Sequence, residues 1–420
     1  MKKKIIFTFF LTLLLFVFST RAQMRVHLIN VGQGCAALIE FPCAAILIDV
    51  GGENNSLFNS SDSLKAYLDD FFERRTDLNY TLQCVYLTHP HSDHTNNDLV
   101  KTILQPPYII KNVVTDGLER GSGRFGQIRL HRAAQASEEN NNANDDIGLE
   151  SITTKKIGAT GFTNAKIDPV NCPGTNPVIK ILWGTSVTHP SGWSDDDFDN
   201  ENNHSLVIKI EYGSSSLLIT GDLEDVAQKK LVAKYNANSM LNADVYIVGH
   251  HGSKNGSSVE LLNKITPQMA LIGVGDTTRQ FTFSAWAFGH PNKGILDRLQ
   301  NVLTATRTPV QIPAGNGAKK FVSYTVTKAI YATAWDNNIV LEADATGHWQ
   351  KLSNLVPALV NINTATLSEL LTLPGIGQTK AQAIIDYRTA HGNFASIDAL
   401  DDVPGFGPAT INLLKPYVKL

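Results

Sequence analysis

Thr88-His89-Pro90-His91-Ser92-Asp93-His94 closes an apolar run, Val85-Tyr86-Leu87, and puts three histidines and a carboxylate inside six residues. A strand that stops in a tight loop can aim such closely spaced side chains at one point, so the stretch predicts a strand-end metal site. Imidazole and carboxylate together suit zinc, manganese or iron. At 420 residues with ordinary apolar content, the chain is too long for one small domain. Its net charge of −3 gives no electrostatic case for nucleic acid, so any such case must come from motifs.

Lys2 to Lys4, the apolar run Ile5 to Phe18, and Thr20 and Ala22 before Gln23 read as a secretory signal peptide over residues 1–22. The run is short for a span of about 20 residues, so no stable membrane anchor is expected. The mature protein is then expected in the periplasm or outside the cell. Cys35, Cys43, Cys84 and Cys172 would enter an oxidising compartment as buried apolar residues or as one bridge, and sequence does not pair them.

From Met24 the chain alternates apolar runs with glycine turns, Val26 to Val31, Ala36 to Ile39 and Ala44 to Val50, which read as strands. Leu64, Tyr67, Leu68, Phe71 and Phe72 repeat at helical spacing, so a packed amphipathic helix precedes the motif strand. Residues 121–177 are rich in Asn, Gly, Ser and Thr and predict a long, loop-rich insertion. Order returns with Val178 to Leu182. Leu217 to Ile219 then form a strand that delivers Asp222, and Val245 to Val248 run into His250-His251-Gly252-Ser253.

The H-x-H-x-D-H order resembles the metallo-beta-lactamase superfamily. V-G-Q-G at Val31 to Gly34, with L-I-D-V-G-G at Leu47 to Gly52, narrows the resemblance to the metallo-hydrolase of the competence protein ComEC. The resemblance implies an αββα sandwich of the α/β (α+β) class over residues 23–350 and two divalent ions, zinc or manganese. His89 and His91 would hold one ion, Asp93 and His94 the other, and Asp222 both. Asp49 would sit behind the ligands. Cys35 departs from the pattern, which usually has an aspartate there. His189 is the candidate for a third histidine on the first ion, with His204 behind it. His251 and His290, the latter in Gly289-His290-Pro291, compete for the last ligand of the second. Asp93, His250 and His251 are the residues expected to take part in the chemistry.

After a linker at 351–357, residues 358–420 form a compact helical repeat. Leu373-Pro374-Gly375-Ile376-Gly377 recurs as Val403-Pro404-Gly405-Phe406-Gly407, each motif lying between two helices. Without a Cβ, backbone N–H groups at a helix N-terminus can approach a phosphate, and the helix dipole favours the anion. With Val360 to Ala365 in front, the segment resembles the double helix-hairpin-helix of the competence DNA receptor ComEA. Gly375, Ile376, Gly377, Lys380, Gly405, Phe406 and Gly407 are then the expected DNA contacts, through phosphates and without sequence specificity. The whole reads as an exported phosphodiesterase acting on DNA in competence. The alternatives are hydrolysis of another phosphodiester, such as a phosphorylcholine-type ester, and non-enzymatic DNA capture.

Overall fold

The computed structural model describes residues 23–139, 146–352, 360–370, 373, 376–415 and 417–420. The expected signal peptide, most of the expected linker and Gly375 lie outside the described residues.

Among the described residues, two sheets carry the larger part of the chain. The first consists of β1 (Gln23–Leu28), β2 (Ala37–Phe41), β3 (Ala44–Ile48), β4 (Cys84–Leu87), β5 (Asn112–Thr115) and β6 (Gly148–Ser151), completed near the end of the domain. The second begins with β7 (Pro177–Trp183), β8 (Val207–Tyr212), β9 (Ser215–Ile219), β10 (Val245–Ile247) and β11 (Met269–Ile272). A ribbon, β12 (Thr306–Gly315) with β13 (Phe321–Lys328), stands apart. Then β14 (Ile330–Ala332) closes the second sheet, and β15 (Ile339–Asp344) with β16 (Trp349–Lys351) closes the first. The orders are β6-β5-β4-β3-β2-β1-β15-β16 and β7-β8-β9-β10-β11-β14.

Alternation along the strands builds the layers. On β3, Ile46 and Ile48 face Ile208, Ile210 and Ile219 of the opposite sheet, while Ala45 and Leu47 face outward. That outer face is covered by α1 (Ser60–Arg74), α2 (Asn97–Ile103) and α3 (Arg124–Glu139), with Leu64, Leu68 and Phe71 of α1 among the buried contacts. On the other side α4 (Asp225–Lys234), α5 (Val259–Ile265) and α6 (Lys293–Val302) cover Leu218, Tyr246 and Ala270. The result is the expected αββα sandwich.

Strand direction fixes where chemistry can happen. β3 to β6 run parallel, and so do β9, β10, β11 and β14. Their carboxyl ends open on one edge of the sandwich, where the loops carrying Asp49, the His89 to His94 motif, Asp222 and His251 converge.

The stretch 121–177, expected as a loop-rich insertion, is in part ordered into regular elements. It supplies α3 and the edge strand β6, and Phe162 pairs with Ile181 of β7. Cys172 closes a disulfide with Cys43 across a sequence separation of 129 residues. The buried face of α3 is Gly126, Gln127, Leu130, His131 and Ala134. So polar a face shows no apolar stripe in the sequence, which hides the helix.

At the C-terminus α7 (Leu367–Leu370), α8 (Gln378–His391) and α9 (Pro408–Leu414) pack around Leu370, Ile384, Leu400 and Leu414. Thr366 and Glu369 form a reciprocal cap on α7, with Thr366 N–H donating to Glu369 at 2.7 Å and Glu369 N–H to Thr366 Oγ1 at 3.2 Å.

Candidate metal centre

The motif loop is drawn against the end of β3 by backbone bonds. Cys35 N–H donates to Asp93 O at 2.8 Å and Val50 N–H to His94 O at 2.8 Å. The approach requires glycine at 51, because a Cβ there would lie 1.7 Å from Asp93 O. Asp49, in the left-handed region at φ 60°, turns its carboxylate inward. It accepts from Thr88 N–H at 2.7 Å and from Thr88 Oγ1 at 2.9 Å, and it bonds His94 Nδ1 at 2.7 Å. The last contact leaves His94 Nε2 facing Asp222 Oδ1 at 2.8 Å. Asp49 thus orients His94, and its own carboxylate lies with Cys35 and His94 in one group of possible donors.

The second sheet contributes from the other side. Asp222 follows β9, and its backbone N–H is held by Ser205 Oγ at 3.1 Å. His250 and His251 follow β10 in consecutive left-handed conformations, both at φ 52°. Such a pair of non-glycine residues costs on the order of 1–3 kcal/mol each, so the surroundings must impose it. Asp222 Oδ1 accepts from His250 N–H at 3.1 Å, and Gly273 O binds His251 Nδ1 at 2.7 Å, aiming His251 Nε2 inward. That nitrogen lies 3.2 Å from Asp93 Oδ2 and 3.1 Å from His94 Nε2.

Among the described residues two donor groups overlap at Asp93, and a third consists of Cys35, Asp49 and His94. Asp93, His94, Asp222 and His251 each present one ligand atom within 4.8 Å of the others, and so do His89, His91 and Asp93. Asp222 of the first group reaches toward the second, 3.9 Å from His89 Nε2, and lies 3.8 Å from His250 Nε2. His89 is fully buried, yet its Nε2 has no hydrogen-bond partner. A buried polar nitrogen without a partner is costly unless something else fills its lone pair. The donor set therefore fits a divalent cation.

Electrostatics agrees with crowding of this kind. Burial alone would raise Asp222, but His94, His251 and His250 hold it well below the ordinary carboxylate value. Asp93 is likewise lowered against burial, by His251 and His94. His94 is raised against burial by Asp222 and Asp49, whereas burial and His94 push His89 down to a neutral imidazole.

Other expected ligands lie elsewhere. His189 is part-exposed, its ring packed on Phe198 and its Nε2 3.3 Å from Asp195, so it joins neither donor group. His204 is buried, but Ser186 N–H at 3.0 Å and Phe198 O at 2.7 Å occupy both ring nitrogens. The side chain beside His91 is instead Glu201, at 3.4 Å, in contact also with Arg120 at 3.3 Å. Nothing in the sequence distinguishes Glu201 from its acidic neighbours. His290 stacks on His251 at 6.5 Å and its Nδ1 meets Gln33 at 3.4 Å, outside both donor groups. Burial and the neighbouring His251 push it down to about 3.

In the tail, Ile376 and Phe406 are buried in the hairpin core. Gly377 and Gly407 are the residues before the first turns of α8 and α9. Gly405 sits at φ 89°, and Lys380 lies over the Phe406 ring at 5.7 Å. A Cβ on Gly377, Gly405 or Gly407 would meet nothing within 4 Å.

Comparison with known proteins agrees with both halves. Residues 29–275 match the family described as the metallo-beta-lactamase superfamily, and residues 358–419 match the helix-hairpin-helix motif. The chain is 34% identical over 101 residues to competence protein ComA of Neisseria gonorrhoeae, covering 24% of this chain and 13% of that protein. ComE operon protein 3 of Bacillus subtilis is 35% identical over 101 residues, 24% of this chain and 12% of its own length. ComE operon protein 1 of the same organism is 48% identical over 61 residues, 14% of this chain and 30% of its own length.

Proposed function

The chain belongs to the metallo-beta-lactamase superfamily, and we propose that it is an exported, metal-dependent phosphodiesterase that cleaves DNA, with the tail holding the duplex. The observation that carries this reading is Asp222, a buried carboxylate that belongs to one group of imidazole and carboxylate donors and stands 3.9 Å from His89 of the other. His89 and His91 would hold one divalent ion, and Asp93, His94 and His251 a second, with Asp222 shared. When bound, such ions supply Lewis acidity, making water a stronger nucleophile and offsetting charge on a phosphate.

The chain's own residues do the rest. Asp49 and Gly273 O fix the ring orientations of His94 and His251. His250, whose Nε2 lies 3.8 Å from Asp222, would donate an N–H to a phosphate oxygen or to the leaving oxygen. The helix-hairpin-helix tail and the competence relatives favour DNA as the phosphodiester. Export is supported by the reading of residues 1–22 and by the Cys43–Cys172 disulfide, a bond that persists in oxidising compartments. Among the described residues, no helix is long and apolar enough to cross a membrane.

The test is cleavage of a labelled duplex by purified protein before chelation, after chelation, and after return of zinc or manganese. Cleavage lost and then restored is the expected result. A folded, metal-loaded protein that hydrolyses bis(p-nitrophenyl) phosphate but leaves DNA intact would assign the site to another phosphodiester.

A further inference from the structure

We infer that the exposed face of α3 is a backbone-tracking surface that lays a nucleic-acid strand across the metal centre, an inference that rests on reading that centre as a phosphodiesterase. The helix grows out of the motif itself. Gly123 N–H donates to Pro90 O at 2.7 Å, and a Cβ on Gly121 would lie 3.2 Å from His91 Cδ2. Whatever lies along α3 is therefore led to His91.

The chemistry of the face is that of a phosphate surface. Arg124, Arg129 and Arg132 are exposed on it, although the whole chain has a net charge of −3. Phe125, Ile128, Arg129 and Arg132 recur at helical spacing on one side. With Asn97 and Leu104 they line a groove of about 580 Å³ between α2 and α3. Phe125 is 58% exposed beneath the Arg124 guanidinium, 4.3 Å from its ring centroid. An aromatic face beside guanidinium groups is what a sugar-phosphate strand and its bases recognise. Eight residues separate Arg124 from Arg132, about 12 Å along the helix axis, which matches three or four phosphates at about 3.4 Å per step. Glu138 and Glu139 end the basic run. The nearby Asp98 of α2 pairs with Lys101 at 2.8 Å.

The experiment compares the full-length protein with its Arg124→Gln/Arg129→Gln/Arg132→Gln form, and with a Lys155→Gln/Lys229→Gln/Lys351→Gln control that removes the same charge elsewhere. Fluorescence anisotropy of a labelled duplex gives affinity against salt concentration, and thermal melting of the same samples reports folding. Each phosphate contact contributes about 0.9 to the slope of log affinity against log salt, so the arginine variant should lose about 2.7 units relative to the control. Its kcat/KM on duplex should fall about tenfold or more, with hydrolysis of bis(p-nitrophenyl) phosphate within about twofold. Arg132→Gln alone, farthest from the motif, should lower the slope by about one unit, which decides the matter should the triple variant melt early. Slope and kcat/KM equal to the control's would overturn the inference, as would an equal loss on both substrates. An arginine variant with the expected slope change, beside wild-type protein that cleaves no DNA, would leave the surface standing and remove the nuclease reading instead.

Discussion

At the strand-end cluster a glycine is needed because the protein itself comes too close, whereas in the tail hairpins it faces open space. A Cβ on Gly51 would sit 1.7 Å from Asp93 O, inside the bonded backbone of the motif loop. Gly377 and Gly407, at the starts of α8 and α9, would place a Cβ with nothing within 4 Å. The first pattern belongs to a site that the protein closes on itself, around an ion. The second leaves the hairpin glycines on open surface, which the proposed DNA contact would use.

Substitutions should separate the two. The largest effect is expected at Gly51→Ala, where backbone would have to move and the loss should be about 3 kcal/mol or more in a denaturant titration. Unchanged stability there would break the contrast at its root. His91→Ala comes next: hydrolysis of both DNA and a small diester should fall about a hundredfold or more, a loss of about 2.7 kcal/mol, while DNA retention on a filter stays close to wild type.

A smaller effect is predicted for Gly377→Val or Gly407→Val. Each should weaken duplex binding about tenfold, comparable to one charge-assisted hydrogen bond at about 1.5–3 kcal/mol, and similarly across DNA sequences. Melting temperature should stay within about 2 °C, because no protein atom is displaced; a large drop would mean that these glycines serve the fold after all.

A pH-dependent effect concerns Asp116, buried at the end of β5 with its Oδ2 lacking a hydrogen-bond partner. Burial raises its pKa to about 8. The folded protein then keeps a proton that the unfolded chain releases above about pH 4. Its contribution to stability is therefore present below about pH 4 and lost as pH rises toward about 8. Asp116→Asn, which keeps an acceptor for Gln127, should be more stable than wild type at pH 8, with the gap closing toward pH 4. Parallel pH profiles for the two proteins would show that Asp116 does not titrate in this window.

What the sequence reveals follows from how local each signal is. The strands ending at Ile48, Leu87 and Ile219 are apolar enough to read directly, and the crowding of His89, His91, Asp93 and His94 needs no tertiary information. Asp222 was legible because a strand and a glycine deliver it. His189 misleads because a lone histidine before a proline looks the same whether its loop turns toward a cleft or, as here, packs on Phe198. Glu201 and the Cys43–Cys172 pair depend on segments far apart in the chain meeting in space. Helix α3 was masked because it buries Gln127 and His131 where an apolar stripe would have announced it. His131 binds Thr115 Oγ1 at 3.1 Å and Glu119 at 3.0 Å, so its polar groups are satisfied within the fold.

The most direct test of the account is the metal content of purified, unchelated protein, measured by elemental analysis beside a circular-dichroism spectrum that establishes folding. About two divalent ions per chain are predicted for the wild type, with a clear fall in Asp222→Asn because that carboxylate belongs to one donor group and stands 3.9 Å from His89 of the other. A folded sample without transition metal, or an Asp222→Asn variant that keeps the full complement, would contradict it.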